Sequence, residues 1–207
     1  MGEHVFETTS SKILHVGKIF ALRADRVRMP GGKIVTREVI ENFGAVAIVA
    51  MDEDGRIPMV YQYRHPFGRR LWELPAGLLD VDGEAAHLSA ARELREEVGL
   101  QAETWQLLVD LDPAPGFSDE SVRIYLATGL TQVDRPESHD EEADMTVKWY
   151  PLAEAVQRIF SGEIVNALAV AGVLAAYAVS EGIAEPRPVD APWTDRSTAF
   201  RARKAAR

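Results

Sequence analysis

The chain has 207 residues, 46% of them hydrophobic, with 23 Lys and Arg against 32 Asp and Glu, for a formal net charge of −9. That length is enough for one full core with a small appended unit. The lack of cysteine rules out disulfides, thiolate metal sites and a cysteine nucleophile, and the acidic balance speaks against nucleic-acid binding, which needs clustered cations.

The N-terminus MGEHVFETTSSK has no basic-then-apolar leader pattern, as expected of a cytoplasmic enzyme. Residues 12–29 and 33–42 read as strands joined at Pro30-Gly31-Gly32. Ala45 to Ala50 is a continuous apolar run, expected for a strand buried on both faces. A turn at Asp52-Glu53-Asp54-Gly55 leads into a strand over 57–64, and residues 71–74 are extended between Pro/Gly breaks. A helix is predicted over 85–98, then strands at 105–111, 122–127 and 146–150, separated by loops at 112–120 and 136–144. Helices follow at 152–160 and 165–179, and the Pro-rich charged tail from Glu185 is expected to be irregular. Ile164 to Ser180 runs 17 residues without a charge, yet its Ala, Gly, Val and Asn content suits a buried helix better than a membrane span. Hairpin-linked strands without a regular βαβ count predict an α/β protein whose mixed sheet is packed by helices.

The acids of residues 84–97 carry the functional signal. With about 100° per residue, Leu88, Ala91, Leu94 and Val98 share one face, and Glu93, Glu96 and Glu97 lie roughly opposite. Glu93 and Glu97 form a like-charge i,i+4 pair that disfavours an isolated helix by about 0.2–0.5 kcal/mol. A divalent cation would reverse that penalty, since Mg²⁺ selects hard carboxylate oxygens. Gly99 is placed to end the helix, and Glu84 stands where the macrodipole favours an acid. A solvated charged face, with Arg92–Glu96 as an ordinary ion pair, fits the same nine residues RELREEVGL.

The full segment goes further. Glu84, seven residues, then Arg92-Glu93-Leu94-Arg95-Glu96-Glu97-Val98-Gly99-Leu100 resembles the Nudix box, G-x5-E-x7-R-E-U-x-E-E-x-G-U, with U a bulky apolar residue. Every fixed position from Glu84 onward fits. Gly77 precedes Glu84 by six intervening residues rather than five, which leaves the helix intact and Gly77 free to make its turn. Residues 61–77, YQYRHPFGRRLWELPAG, and the APGFSDE loop around Pro115 are similar to segments of the ADP-ribose pyrophosphatase branch.

The resemblance implies a Nudix-type α/β/α sandwich over roughly 43–184, inside a catalytic domain of residues 43–207. It also implies a small N-terminal β unit, residues 1–42, that packs across a two-fold homodimer. The expected reaction is hydrolysis of ADP-ribose to AMP and ribose 5-phosphate with two or more Mg²⁺ or Mn²⁺ ions. Alternatives are another nucleotide sugar, GDP-mannose or ADP-glucose, or a non-catalytic ADP-ribose-binding module, against which the intact Glu93, Glu96 and Glu97 speak. Glu93 and Glu97 are expected metal ligands by helical geometry and by motif. Glu96 joins them directly or through water, and the Ala76 carbonyl is carried over from the family. Arg92 and Glu84 are expected to pair and orient the helix. Arg64 is carried over for the diphosphate, Glu120 for a ribose hydroxyl, and Arg37 for phosphate or adenine. Residues 136–144 hold five carboxylates, and alignment back from Trp149-Tyr150 makes Glu142 the general base, with Glu141 second and His139 a less suitable alternative.

Overall fold

The structure is a computed structural model that describes residues 4–135 and 144–206. The chain divides into two compact units: residues 1–44, 112–121 and 194–207 form the first, and residues 45–111 and 122–193 the second.

In the first unit, β1 (Thr8–Val16), β2 (Phe20–Arg28) and β3 (Ile34–Asn42) make an antiparallel sheet in sequence order. The expected single strand over 12–29 is therefore two strands. Gly17 turns the chain back, its N–H donating to the Phe20 carbonyl at 2.8 Å. At the other turn Gly31 and Gly32 both have φ near +86°, a conformation that side-chain-bearing residues rarely adopt. The tail is not irregular as expected. Its end forms helix α4 (Ala199–Ala205), and Phe200 packs on Phe43 and Ala21 with ring centroids 4.6 Å apart for the Phe pair. A buried carboxylate ties this helix to the sheet. Glu41, 1% exposed, accepts from Arg23 Nη1 at 2.7 Å and from Arg203 Nε and Nη2 at 2.6 and 2.8 Å. The 112–121 loop is anchored too, with Asp119 accepting from the Asn42 N–H and the Ser197 hydroxyl.

The second unit is built on β4 (Ala45–Ala50), buried at all six positions as its apolar run predicts. Alternation sends Ala45, Ala47 and Val49 into one core and Val46, Ile48 and Ala50 into another. The first core takes helices α2 (Leu152–Phe160) and α3 (Ala167–Ser180), and the second takes α1 (Ala86–Glu93), so the sheet is sandwiched between helices. Strand β4 runs parallel to β9 (Val122–Gln132) and antiparallel to β7 (Ala76–Leu78), while β8 (Leu100–Leu111) pairs with β9. The second sheet orders β10 (Thr146–Pro151), β5 (Arg56–Arg64) and β6 (Arg69–Glu73).

Helix α3 starts at Ala167 rather than 165 because the Asn166 carboxamide oxygen accepts from the N–H groups of Leu168 and Ala169, both at 3.0 Å. Among the described residues no helix is long and apolar enough to cross a membrane. The tail also adds β11 (Arg187–Pro188) beside β8. Arg123 holds the segment after it, donating to Asp110 and to the Ala191 and Pro192 carbonyls, with its guanidinium 4.5 Å from the Trp193 ring centre.

Candidate active site

Helix α1 begins at Ala86 without a side-chain cap. The acid just ahead of it serves another purpose. Glu84 accepts from the Ser89 hydroxyl at 2.6 Å and from Arg92 Nε and Nη2 at 3.3 and 3.1 Å. The hydrogen bonds from Arg92, then that from Ser89, hold the Glu84 carboxyl below its ordinary range. Bonding to Glu84 in turn raises Arg92 beyond its usual basicity. The expected Arg92–Glu84 pair is thus present, and it extends further. Arg92 Nη1 also donates to Glu93 Oε1 at 2.6 Å and Glu96 Oε2 at 3.2 Å. One guanidinium bonds the acid ahead of the helix, Glu84, and two further along it, Glu93 and Glu96.

Beyond Glu93 the winding changes. Residues Leu94–Val98 form a π turn, closed at Gly99 in the left-handed conformation (φ 71°, ψ 36°). The expectation of one uninterrupted α-helix with an apolar face through Leu88 and an opposite acidic face is corrected here. Leu88 is 54% exposed, while Glu97 is 5% exposed and Leu94 fully buried. The wider turn re-aims the last residues, so Glu97 points inward to the β7 strand rather than out to solvent.

Two carboxylates converge on Ala76 and Gly77. The Ala76 N–H donates to Glu97 Oε2 at 3.0 Å. A Cβ placed on Gly77 would sit 2.1 Å from Glu93 Cδ and 2.3 Å from its Oε1. The turn expected at Gly77 is therefore absent. Gly77 stands in a strand paired with Val46 and is a glycine because the Glu93 carboxylate occupies the space of a side chain. The turn before the helix is made at Gly83, where φ is +74°.

The donor chemistry here suits a hard cation: carboxylate oxygens of Glu93 and Glu97 beside the Ala76–Gly77 backbone, with Glu96 one residue away on the helix. Among the described residues, no three acids or histidines already converge as a ready ligand set. Arg92 Nη1 bonds one oxygen each of Glu93 and Glu96.

Arg64 lies in the second unit at the end of β5, where it is paired with Glu73, 3% exposed, through Nε–Oε1 at 2.9 Å and Nη2–Oε2 at 2.6 Å. Sequence reading did not single out Glu73. Gln62, two residues from Glu73's register partner Val60 and 3.4 Å from its carboxylate, lies on the same inward face of the sheet. Trp72 packs against Tyr61 and Tyr150, consistent with a packing role. Arg37 and Glu120 belong to the first unit. Arg37 is exposed on β3 and donates to the Thr36 carbonyl at 3.1 Å. Burial, and next to it the Asp119 charge, raise Glu120 above the ordinary carboxyl range. Glu142, Glu141 and His139 lie outside the described residues.

Comparison with known proteins places these features. The family described as NUDIX domain matches residues 41–168, and the one described as nucleoside diphosphate sugar hydrolase N-terminal domain matches residues 6–40. The chain is 73% identical over 207 residues to a Mycobacterium tuberculosis protein named ADP-ribose pyrophosphatase, covering 100% of both chains. It is 34% identical over 167 residues to the methanol dehydrogenase activator of Bacillus methanolicus, covering 81% of this chain and 90% of that one. The structure titled "Crystal structure of ADP compounds hydrolase" superposes with a TM-score of 0.75 over 89% of this chain and 100% of the other, and its 19% identity speaks to the fold alone.

Proposed function

The chain belongs to the Nudix hydrolase family, and we propose that it hydrolyses the pyrophosphate bond of ADP-ribose to AMP and ribose 5-phosphate. The observation that carries this reading is the 73% identity to an ADP-ribose pyrophosphatase across both full chains. One water is added: its oxygen bonds to one phosphorus, the bridging oxygen leaves with the other, and the water's protons pass to a base and to solvent.

Nudix hydrolases in general require divalent metal ions. For this chain the ions are Mg²⁺ or Mn²⁺, two or more per site, held by Glu93, Glu96, Glu97 and the Ala76 carbonyl. When bound, they neutralise charge on the diphosphate oxygens. The protein's own groups do the rest. The Arg92 guanidinium, fixed on Glu84, sets the helix that carries the carboxylates. Arg64, gripped at two atoms by buried Glu73, presents a rigid cation to the diphosphate, where a guanidinium suits paired oxygens. Arg37 contacts phosphate or adenine. Glu120, with its raised proton affinity, meets a ribose hydroxyl. Glu142 takes the proton from the attacking water.

Residues 1–42 serve dimerisation and substrate contact, and residues 43–207 carry the chemistry. The match of residues 6–40 to a nucleoside diphosphate sugar hydrolase N-terminal domain supports this division. Exposed Val5, Phe6, Leu14 and Ile19 on and around the β1 edge support burial against a second copy.

The test is a rate comparison across ADP-ribose, ADP-glucose and GDP-mannose, with Mg²⁺, with Mn²⁺ and in excess EDTA. ADP-ribose is expected to be the fastest substrate and chelation to abolish turnover until metal is restored. Faster hydrolysis of GDP-mannose would overturn the substrate, and full activity in EDTA would overturn the metal requirement.

A further inference from the structure

We propose that Arg135 is a positioning residue for the metal-binding carboxylates: it caps the last turn of the acidic helix at the Glu96 carbonyl and thereby fixes the directions of Glu96 and Glu97. The proposal rests on the assignment of Glu93, Glu96 and Glu97 as metal ligands.

The change of winding at Leu94 makes this turn decisive. In a continuous α-helix Glu97 would sit one turn beyond Glu93 at about 100° per residue. In the π turn each residue advances less, so the relative aim of Glu93 and Glu97 depends on residues 94–98 keeping that geometry. Isolated π turns are rare and concentrate at functional sites. The Gly99 N–H closes the turn on the Leu94 and Arg95 carbonyls, and the carbonyls that follow at a helix end look outside the helix for donors.

The end of β9 at Gln132 and the residues just after it hold this end of the helix. The Gln132 side chain (Nε2) and the Val133 N–H donate to the Gly99 carbonyl at 2.8 and 2.9 Å. Arg135 Nε donates to the Glu96 carbonyl at 2.9 Å. The first two contacts grip the residue after the turn, whereas Arg135 reaches a ligand residue itself. The approach is close. A Cβ on Gly99 would lie 3.0 Å from Gln132 Nε2, 3.1 Å from the Val133 carbonyl oxygen and 3.4 Å from Arg135 Cβ. A cation at this end also complements the helix dipole.

Arg135 Nη2 is buried with no hydrogen-bond partner among the described residues. The bond from Nε to the Glu96 carbonyl is thus the one by which this guanidinium engages the helix. Unlike Arg92, which binds the carboxylate oxygens, Arg135 engages the backbone and leaves the carboxylates available to a metal.

The experiment compares the parent chain with Arg135→Ala and Arg135→Lys, titrating Mn²⁺ by electron paramagnetic resonance without substrate. Arg135→Ala is expected to weaken Mn²⁺ binding by about tenfold or more, the range for residues that orient metal ligands, and Arg135→Lys to recover it to within about threefold of the parent. With saturating Mn²⁺ the KM for ADP-ribose should stay within about twofold while kcat falls. A lower melting temperature with an unchanged Mn²⁺ constant would make Arg135 merely structural and overturn the proposal. If Arg135→Ala does not fold, Arg135→Met, which keeps the aliphatic stem and removes the donors, is read in the same way. A parent chain that binds no Mn²⁺ would overturn the proposal together with the ligand assignment. A parent that binds Mn²⁺ without hydrolysing ADP-ribose overturns the substrate reading alone.

Discussion

Glu97 is nearly out of water, and a carboxylate so placed needs a donor. The Ala76 N–H is one, and a hard cation would offset the charge more strongly. The same neighbourhood explains Gly77, whose missing side chain leaves room for the Glu93 carboxylate. Gly77→Ala is accordingly expected to push Glu93 aside and weaken Mn²⁺ binding by about tenfold or more. Alanine tolerates the strand conformation, so the fold should persist. Unchanged Mn²⁺ affinity in a folded Gly77→Ala protein would show that Glu93 is not held there for metal. The base is tested separately. Glu142→Gln keeps size and hydrogen bonding but cannot accept a proton, so kcat should fall by about 10²–10⁴ with KM little changed. The same change at Glu141 or His139 should be far milder. Activity of Glu142→Gln within about threefold of the parent, well short of the general-base range, would move the assignment to another acid.

At the level of elements, the acidic helix and α4 show opposite uses of buried charge. On the acidic helix, Arg92 and Glu84 set the orientation of a working surface. At α4, Arg203 of the helix and Arg23 of β2 close on Glu41 of β3, docking a short helix that could not stand alone. The Arg203 bond, opposed by burial and helped by Arg23, holds Glu41 below its ordinary range. A folded-state value below the unfolded one contributes stability that is complete above the unfolded value, about 4.3, and is lost as pH falls through the lowered one. Glu41→Gln should therefore destabilise the chain by on the order of 3 kcal/mol at neutral pH. The gap to the parent should narrow as pH drops below about 4.3. A gap that stays constant down to pH about 3, well below that ordinary value, would show that the charge is not what holds α4.

For the whole molecule, the β1–β3 sheet leaves apolar side chains in water that a second copy would cover. Sedimentation of the full chain should give a dimer. Charged replacements at exposed Leu14 and Ile19 should shift it toward monomer and raise the KM for ADP-ribose. A full chain that sediments as a monomer with undiminished activity would remove the dimer from the proposal. No helix that could cross a membrane occurs among the described residues, and the apolar 164–180 stretch is spent on packing. Gly172 is close enough to Leu74 that a Cβ there would lie 2.6 Å from its Cδ1.

Local chemistry made much of this protein legible in the sequence. The apolar run at 45–50 and the helix-ending Gly99 follow from side-chain period and backbone permissiveness, and both stand in the structure. Contacts between distant segments were not legible. The 100° periodicity put Glu97 opposite the apolar stripe because it assumes α winding throughout, whereas residues 94–98 form a π turn. The strand at Ala76–Leu78 is too short to show a period, and the α4 helix depends on Glu41, 162 residues away in sequence. Nothing in the sequence marks Arg135, because its partner is a backbone carbonyl 39 residues earlier. Sequence carries a residue's chemistry and its near neighbours, while loop closure over tens of residues decides which distant carbonyl or carboxylate it meets.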